Sequence, residues 1–155
     1  MKNLLISIAK TAGVFFFLSS LISCGTNDDM LAVINPFLIG KGDLNGSEGI
    51  LQQNMVISDT VAWNQLKSRM DSVNNVTGTF TETEIDFSNY LILAAFSEVR
   101  PSSGYSIEIK NIVEYSANIT ATMENVYPSG VVLPVLTQPY HVVKIPKSNK
   151  QIVFN

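Results

Sequence analysis

Apolar residues recur along the chain with two different periods, and each period predicts one kind of element. Trp63, Leu66, Met70 and Val73 lie three or four positions apart, which places them on one face of a helix over about residues 60–73. The candidate capping residues are Ser58 and Asp59 at its start and Asn74, Asn75 and Gly78 at its end. This amphipathic helix is expected to pack on a sheet.

The rest of the chain is predicted to form strands. Residues 90–96 are an uninterrupted apolar run, which is typical of a central strand covered on both faces. Alternation of apolar and polar residues predicts strands at 105–110 and 117–124, with a bulge near 111–113, and weaker patterns predict strands at 37–39, 53–57, 141–145 and 151–154. The order is two strands, one helix and about five strands joined mostly by hairpins. It predicts an α+β fold, a mostly antiparallel sheet or sandwich with one packed helix.

The N-terminus has the pattern of an export signal. Lys2 and Lys10 flank a region that leads into an apolar run over 11–22, and 12 residues are too few to cross a bilayer. The run ends in L-I-S-C-G at 21–25, which resembles the lipobox of bacterial lipoproteins and implies that Cys24 carries the lipid. We therefore expect a signal peptide at 1–23, a lipidated tether at 24–32 and one domain at 33–155.

The residue that follows the cysteine indicates a destination. Position 25 is glycine rather than aspartate, and in lipoprotein sorting of the enterobacterial kind an aspartate there favours the inner membrane. The expected location is therefore the bacterial cell envelope, at the outer membrane, with the lipid on Cys24 as the membrane contact.

Charge and composition exclude several classes of function. The chain has 13 acidic and 10 basic side chains, a net charge of −3, and no cluster of Lys and Arg of the kind that binds nucleic acid. It has one cysteine and one histidine, which excludes a Cys/His zinc site and a disulfide within the chain. No cofactor and no metal are predicted.

The sequence gives little support for catalysis. His141 alternates in phase with Val143 and Ile145, so a strand histidine whose ring is hydrogen-bonded is favoured over a general base. The acidic segment 81–86 lacks the spacing of a calcium loop, and the G-x-G at 40–46 is not framed by a strand and a helix, so both are predicted to be surface loops. We expect a protein that is not an enzyme.

Two loop sequences carry a family resemblance. R-P-S-S-G-Y at 100–105 and T-Q-P-Y-H at 137–141, together with I-D-F at 85–87, resemble the C-terminal domain of the PrcB family over about residues 86–146. Family members more usually have R-P-T-G-G-Y at the first loop. The resemblance implies a non-catalytic domain that binds and stabilises another exported protein, in the founding case a peptidase complex.

These loops define the candidate site. Binding energy in protein interfaces concentrates in rigid aromatic and arginine side chains, which favours this loop pair as a partner-binding edge. The hypothesis assigns contacts to Arg100, Ser102, Ser103, Gln138 and Tyr140 and a loop-shaping role to Pro101, Gly104 and Pro139.

Two alternatives use the same segments. The P-S-S-G-Y stretch is also similar to the N-P-T-T-G-Y loop of chagasin-type cysteine-peptidase inhibitors, with 137–141 as a second contact loop, although their third loop, G-x-G-G, is missing. In the other alternative both segments are only turns, in which proline fixes φ and glycine supplies a positive φ.

Overall fold

The computed structural model describes residues 29–155, so the predicted signal peptide and Cys24 lie outside the described residues. The elements in chain order are β1 (Met30–Ile34), β2 (Phe37–Leu44), β3 (Gln53–Ile57), α1 (Thr60–Met70), a 3-10 turn (Thr77–Thr79), β4 (Tyr90–Phe96), β5 (Ser106–Tyr115), β6 (Asn118–Val126), β7 (Gln138–Pro146) and β8 (Gln151–Phe154). Within this range no helix is long and apolar enough to cross a membrane.

The strands form two four-stranded sheets. One has the order β1-β5-β6-β8 and the other β2-β7-β4-β3, and every pair is antiparallel except β6 with β8. The predicted α+β class, a mostly antiparallel sandwich with one helix, is confirmed. The prediction of mostly hairpin connections is wrong, because β5 and β6 are the only strands of these sheets that are consecutive, paired and directly joined.

The sheet β2-β7-β4-β3 is the middle layer, with α1 on one face and the other sheet on the opposite face. Along β4, Ile92, Ala94 and Phe96 pack in the cluster that contains the helix, and the residues between them pack against the second sheet. A strand between two apolar layers needs apolar side chains on both faces. This is why residues 90–96 are continuously apolar, as the sequence predicts.

Helix α1 begins where the sequence predicts. The Asp59 carboxylate accepts a hydrogen bond of 2.8 Å from the Ala62 backbone N–H, which satisfies one of the free donors of the first turn. Trp63, Leu66 and Met70 are buried on the sheet, so three of the four residues of the predicted apolar face are confirmed.

The helix ends earlier than predicted. It stops at Met70, and Val73 is 44% exposed rather than part of the buried face. The Asp71 carboxylate accepts hydrogen bonds from the backbone N–H and the hydroxyl of Thr77, at 2.8 and 2.5 Å. These bonds fold the chain back on itself after Asp71, so the helix ends three residues before the predicted boundary.

The predicted surface loop at 40–46 is mostly strand. Strand β2 runs through Gly40 and Gly42 and pairs with β7 as far as Leu44 opposite Gln138. A Cβ atom at Gly40 would collide with the ring of Phe80, so the missing side chain makes room for an aromatic packing residue. Glycine here allows close packing, whereas sequence composition alone favours a loop.

The structure corrects the predicted bounds of the tether and confirms an irregularity near the predicted bulge. Strand β1 begins at Met30 and pairs with β5, so residues 30–32 of the predicted tether belong to a sheet. In β5 the pairing with β6 shifts between Ile109 and Asn111, which confirms an irregularity next to the predicted position.

Candidate functional site

The structure brings the two candidate loops together at one end of the middle sheet. Arg100 and Thr137 exchange two backbone hydrogen bonds, from Arg100 N–H to Thr137 O at 2.7 Å and from Thr137 N–H to Arg100 O at 3.0 Å. We call the surface formed by residues 100–105 and 127–137 the double-loop surface. The predicted proximity of the loops is therefore present, and backbone pairing fixes it.

Arg100 lies at the centre of this surface. Its guanidinium carbon is 4.7 Å from the ring centroid of Tyr105 and 5.7 Å from that of Tyr127, and the two rings meet edge to face at 6.0 Å. Its Nη1 also lies 2.7 Å from a carboxylate oxygen of Glu98. Cation–π contacts of this kind stabilise by about 0.5 to 1 kcal/mol at exposed sites. Together they hold the arginine and both tyrosines in one arrangement.

The two serines have different environments. The Ser103 backbone N–H donates to Leu133 O, and its hydroxyl accepts from the Leu133 N–H, both at 3.0 Å. At Ser102 the backbone carbonyl accepts from the Thr137 hydroxyl at 2.9 Å, whereas its own hydroxyl has no hydrogen-bond partner among residues 29–155. Ser103 thus joins the loops, and Ser102 keeps a free hydroxyl.

Gly104 shapes the loop through its backbone. Its φ is +91°, a conformation that residues with a Cβ atom rarely adopt. A Cβ atom built there would lie 2.9 Å from Pro128 Cβ and 3.4 Å from Val132 Cγ1. Gly104 therefore permits both the turn and the close packing of the second loop. Pro101 precedes it in an exposed position.

Replacing Gly104 with valine is expected to lower the free energy of unfolding by about 1 to 3 kcal/mol, because a branched residue is strained at this φ and collides with Pro128. Equilibrium urea denaturation measures the change. Gly130, whose Cβ position is open, is the matched control, and Gly130→Ala should have almost no effect. Equal stability of Gly104→Val and the native chain would contradict this description of the turn.

Gln138 is a buried bridge rather than an exposed contact. It is 1% exposed, and its Nε2 donates to Ile50 O at 2.7 Å and to Ser97 O at 3.0 Å. Ser97 N–H donates to Pro139 O at 2.9 Å, but proline has no N–H to return the second bond of that pair. The Gln138 side chain supplies the missing donor, so Pro139 is tolerated in an inner strand.

Tyr140 is likewise inside the protein. It is 3% exposed, packs between Phe80 and Phe96 with ring centroids 6.2 and 6.4 Å away, and its burial raises the pKa of the phenol. The expectation that Gln138 and Tyr140 lie on a contact edge is corrected, since β7 begins at Gln138 and points both side chains into the core. This also removes the second contact loop of the inhibitor alternative.

The most exposed apolar part of the double-loop surface is a segment outside both predicted loops. Large apolar side chains project from 127–136, and those with the greatest exposure are Val131 at 101%, Leu133 at 66%, Tyr127 at 62% and Leu136 at 57%. The sequence signal for it is Y-P-S-G-V-V-L-P-V-L, an apolar stretch interrupted by two prolines and a glycine. Its prolines and glycine interrupt the pattern of a strand, and its apolar content is higher than is usual for a surface loop.

His141 has a structural environment. Its Nδ1 accepts a hydrogen bond of 2.8 Å from the Ile109 backbone N–H at the β5 irregularity. Burial, assisted by the charge of Lys41, lowers the pKa of His141, so the neutral imidazole that accepts this bond is favoured. The prediction of a hydrogen-bonded strand histidine is confirmed. Among residues 29–155 no group of three or more His, Cys, Asp or Glu side chains is placed to hold a metal ion.

A family comparison covers this part of the molecule. Residues 91–146 match the model of the family described as PrcB C-terminal, a range that includes most of β4, all of β5 to β7 and the whole double-loop surface. No curated protein and no solved structure matches the chain. The resemblance predicted for about residues 86–146 is confirmed by this match, which covers residues 91–146, about a third of the chain.

Proposed function

We propose that this protein is a non-catalytic accessory lipoprotein whose domain binds and stabilises another exported protein through the double-loop surface. The observation that carries the proposal is an exposed apolar segment, 127–136, fixed against an arginine that stacks on two tyrosines. Exposed apolar patches mark interaction sites, and arginine and tyrosine side chains dominate the binding energy of interfaces. The family implies a partner in or near a peptidase complex.

Rigidity of the loops supports this role. A binding loop that is already ordered loses less conformational entropy when a partner docks. The Arg100 backbone pair and the two bonds between Ser103 and Leu133 hold 127–137 against 100–105 before any partner is present. Arg100 and the free hydroxyl of Ser102 remain the polar contacts of this proposal, whereas Ser103, Gln138 and Tyr140 support the surface from behind.

A capture experiment tests the proposal. Envelopes of cells producing the full chain are treated with a cross-linker, and the bound protein is recovered and quantified by mass spectrometry. With the double variant Val131→Asp/Leu133→Asp, the amount of partner recovered should fall at least about tenfold, because two charged side chains would be buried in the interface. Both side chains are exposed, so the melting temperature should be unchanged. The control Val73→Asp, at an exposed site after α1, should recover the native amount.

The polar contacts are tested in the same way. Arg100→Ala combined with Ser102→Ala removes the guanidinium and the free hydroxyl, and recovery of the partner should again fall. If both the charged and the polar variants recover the partner at native abundance, the loops are only structural turns.

The anchor is part of the proposal. The L-I-S-C-G sequence at 21–25 supports lipid attachment at Cys24, and Gly25 supports residence in the outer membrane of the bacterial envelope. Two or three acyl chains give stable attachment, at about 0.8 kcal/mol for each buried CH₂ group. The domain would then be held close to membrane-associated partners.

The Cys24→Ala variant is expected to lose both incorporation of labelled palmitate and partition into the membrane fraction, because the thiol is the only attachment point for the diacylglycerol. Detergent phase separation and autoradiography of the native chain and the variant measure the two effects. An alanine variant that stays in the detergent phase would contradict lipid anchoring at this residue.

A further inference from the structure

A groove whose lining shares no residue with the double-loop surface lies between α1 and strand β3. It is a cavity of about 870 Å³, and its lining includes Glu48, Gln53, Met55, Val61, Leu66 and Arg69. The residues come from the segment before β3, from β3 itself and from α1. The lining combines apolar side chains with polar and charged ones, as ligand-binding grooves do.

One wall of this groove is a free sheet edge. Strand β3 is the last strand in the order β2-β7-β4-β3 and pairs only with β4. In an antiparallel sheet, the backbone groups of alternate residues point to the same neighbouring strand. Ser97 N–H bonds to Pro139 O, so the odd-numbered residues of β4 bond to β7. The even-numbered residues of β4 therefore bond to β3, where their partners are the odd-numbered residues. The backbone groups of Asn54 and Val56 therefore point outward, and residues 29–155 provide no partner for them.

A buried carboxylate lines the same groove. Glu48 is 5% exposed; one of its oxygens accepts a hydrogen bond of 3.1 Å from the Asn45 backbone N–H, and the other, Oε2, has no hydrogen-bond partner. No ion pair to Glu48 forms within the described part of the chain, although Arg69 lines the same groove. A buried carboxylate oxygen without a donor is costly, and a cationic donor is the partner that stabilises it most.

We propose that this groove binds an extended segment of another protein, which adds to β3 as a fifth strand and places a lysine or arginine side chain against Glu48. The free backbone groups of Asn54 and Val56 supply the main-chain hydrogen bonds, and the carboxylate supplies the preference for a basic side chain. The groove is separate from the double-loop surface, so the proposal does not rest on the proposed function.

Short peptides provide the probe. The first is a fluorescent, end-capped heptapeptide of alternating valine and threonine with one central lysine; the second has glutamate in place of lysine, and the third is N-methylated at alternate backbone positions. Each is titrated to about 1 mM against the full chain in mild detergent, with anisotropy as the readout. The lysine peptide should bind saturably and at least about tenfold more tightly than either of the others.

Two variants separate the charge from the strand edge. Glu48→Gln should remove the preference for lysine over glutamate, and the matched control Glu124→Gln, on the other sheet, should keep it. Val56→Pro should abolish binding of the lysine peptide while leaving the melting temperature near that of the native chain, because the Val56 N–H faces outward and does not bond to β4. Bound lysine peptide should also protect the Asn54 and Val56 amides from hydrogen exchange.

Several results would overturn the proposal. They are equal affinity for the three peptides, protection that falls outside β3, and a lysine preference that persists in Glu48→Gln. Sedimentation of the native chain as a dimer that Val56→Pro dissociates would assign the edge to a second copy of this chain instead. The Val131→Asp with Leu133→Asp variant should bind the lysine peptide normally, so failure of the groove and failure of the double-loop surface are distinguished.

Discussion

Replacing Trp63 with alanine is expected to lower the free energy of unfolding by about 3 to 5 kcal/mol, the largest effect of any substitution considered. The indole is 1% exposed, stacks on Phe80 with ring centroids 6.0 Å apart, and donates from Nε1 to Thr83 O at 2.8 Å. Its removal leaves a cavity between α1 and the middle sheet and takes away one of the two donors to Thr83 O, which keeps a hydrogen bond of 2.9 Å from Lys67 Nζ. Equilibrium denaturation of the full chain in detergent measures the change.

The control for this substitution lies on the same helix. Val61 is 68% exposed, so Val61→Ala should change the free energy of unfolding by less than about 0.5 kcal/mol. Trp63→Phe keeps most of the apolar volume and loses the hydrogen bond, and it should fall between the two. A cost below about 1 kcal/mol for Trp63→Ala would mean that the helix does not depend on this side chain to pack on the sheet.

Gln138→Ala is expected to lower the free energy of unfolding by about 2 to 4 kcal/mol. The substitution removes the donor for the carbonyls of Ile50 and Ser97, and an unsatisfied buried acceptor costs about 1 to 3 kcal/mol. Loss of the buried Gln138 Oε1, which has no partner, offsets part of that cost. Urea denaturation with Gln65→Ala, an exposed helix position, as the control measures the difference.

A second variant shows whether Gln138 stabilises the protein through the hydrogen bonds that its side chain donates or only through its packing. Gln138→Glu has nearly the same volume but no side-chain donor when ionised, so it should be at least as destabilising as alanine near neutral pH. A glutamate variant as stable as the native chain would contradict the statement that Gln138 replaces the N–H that Pro139 lacks.

The elements that the sequence predicts well are those whose pattern arises from local burial. The bounds of β3, β4 and β8 agree with the predicted segments 53–57, 90–96 and 151–154, because each alternates or runs apolar in a way that the sheet layers require. The start of α1 is also predictable, since Asp59 caps it through a contact three residues away. These signals need no knowledge of the tertiary structure.

The elements that the sequence does not predict depend on contacts from distant segments. The end of α1 is set by the contact of Asp71 with Thr77, and the strand at Gly40 is set by the ring of Phe80 and by pairing with β7. At the candidate site, the proline at 139 favours a turn from sequence. The Gln138 side chain compensates for the missing N–H, and the segment is a buried strand.

Site-specific photo-cross-linking tests the central claim, that the double-loop surface contacts another protein, most directly. A benzophenone amino acid is placed at Val131, the most exposed apolar position of the surface. In parallel it is placed at the exposed Asn149, which follows the far end of β7, a strand whose nine residues span about 25 to 30 Å. Irradiation of intact cells should give a cross-linked exported protein from position 131 and none from position 149. No product from 131, or the same product from both positions, would contradict the assignment of this surface.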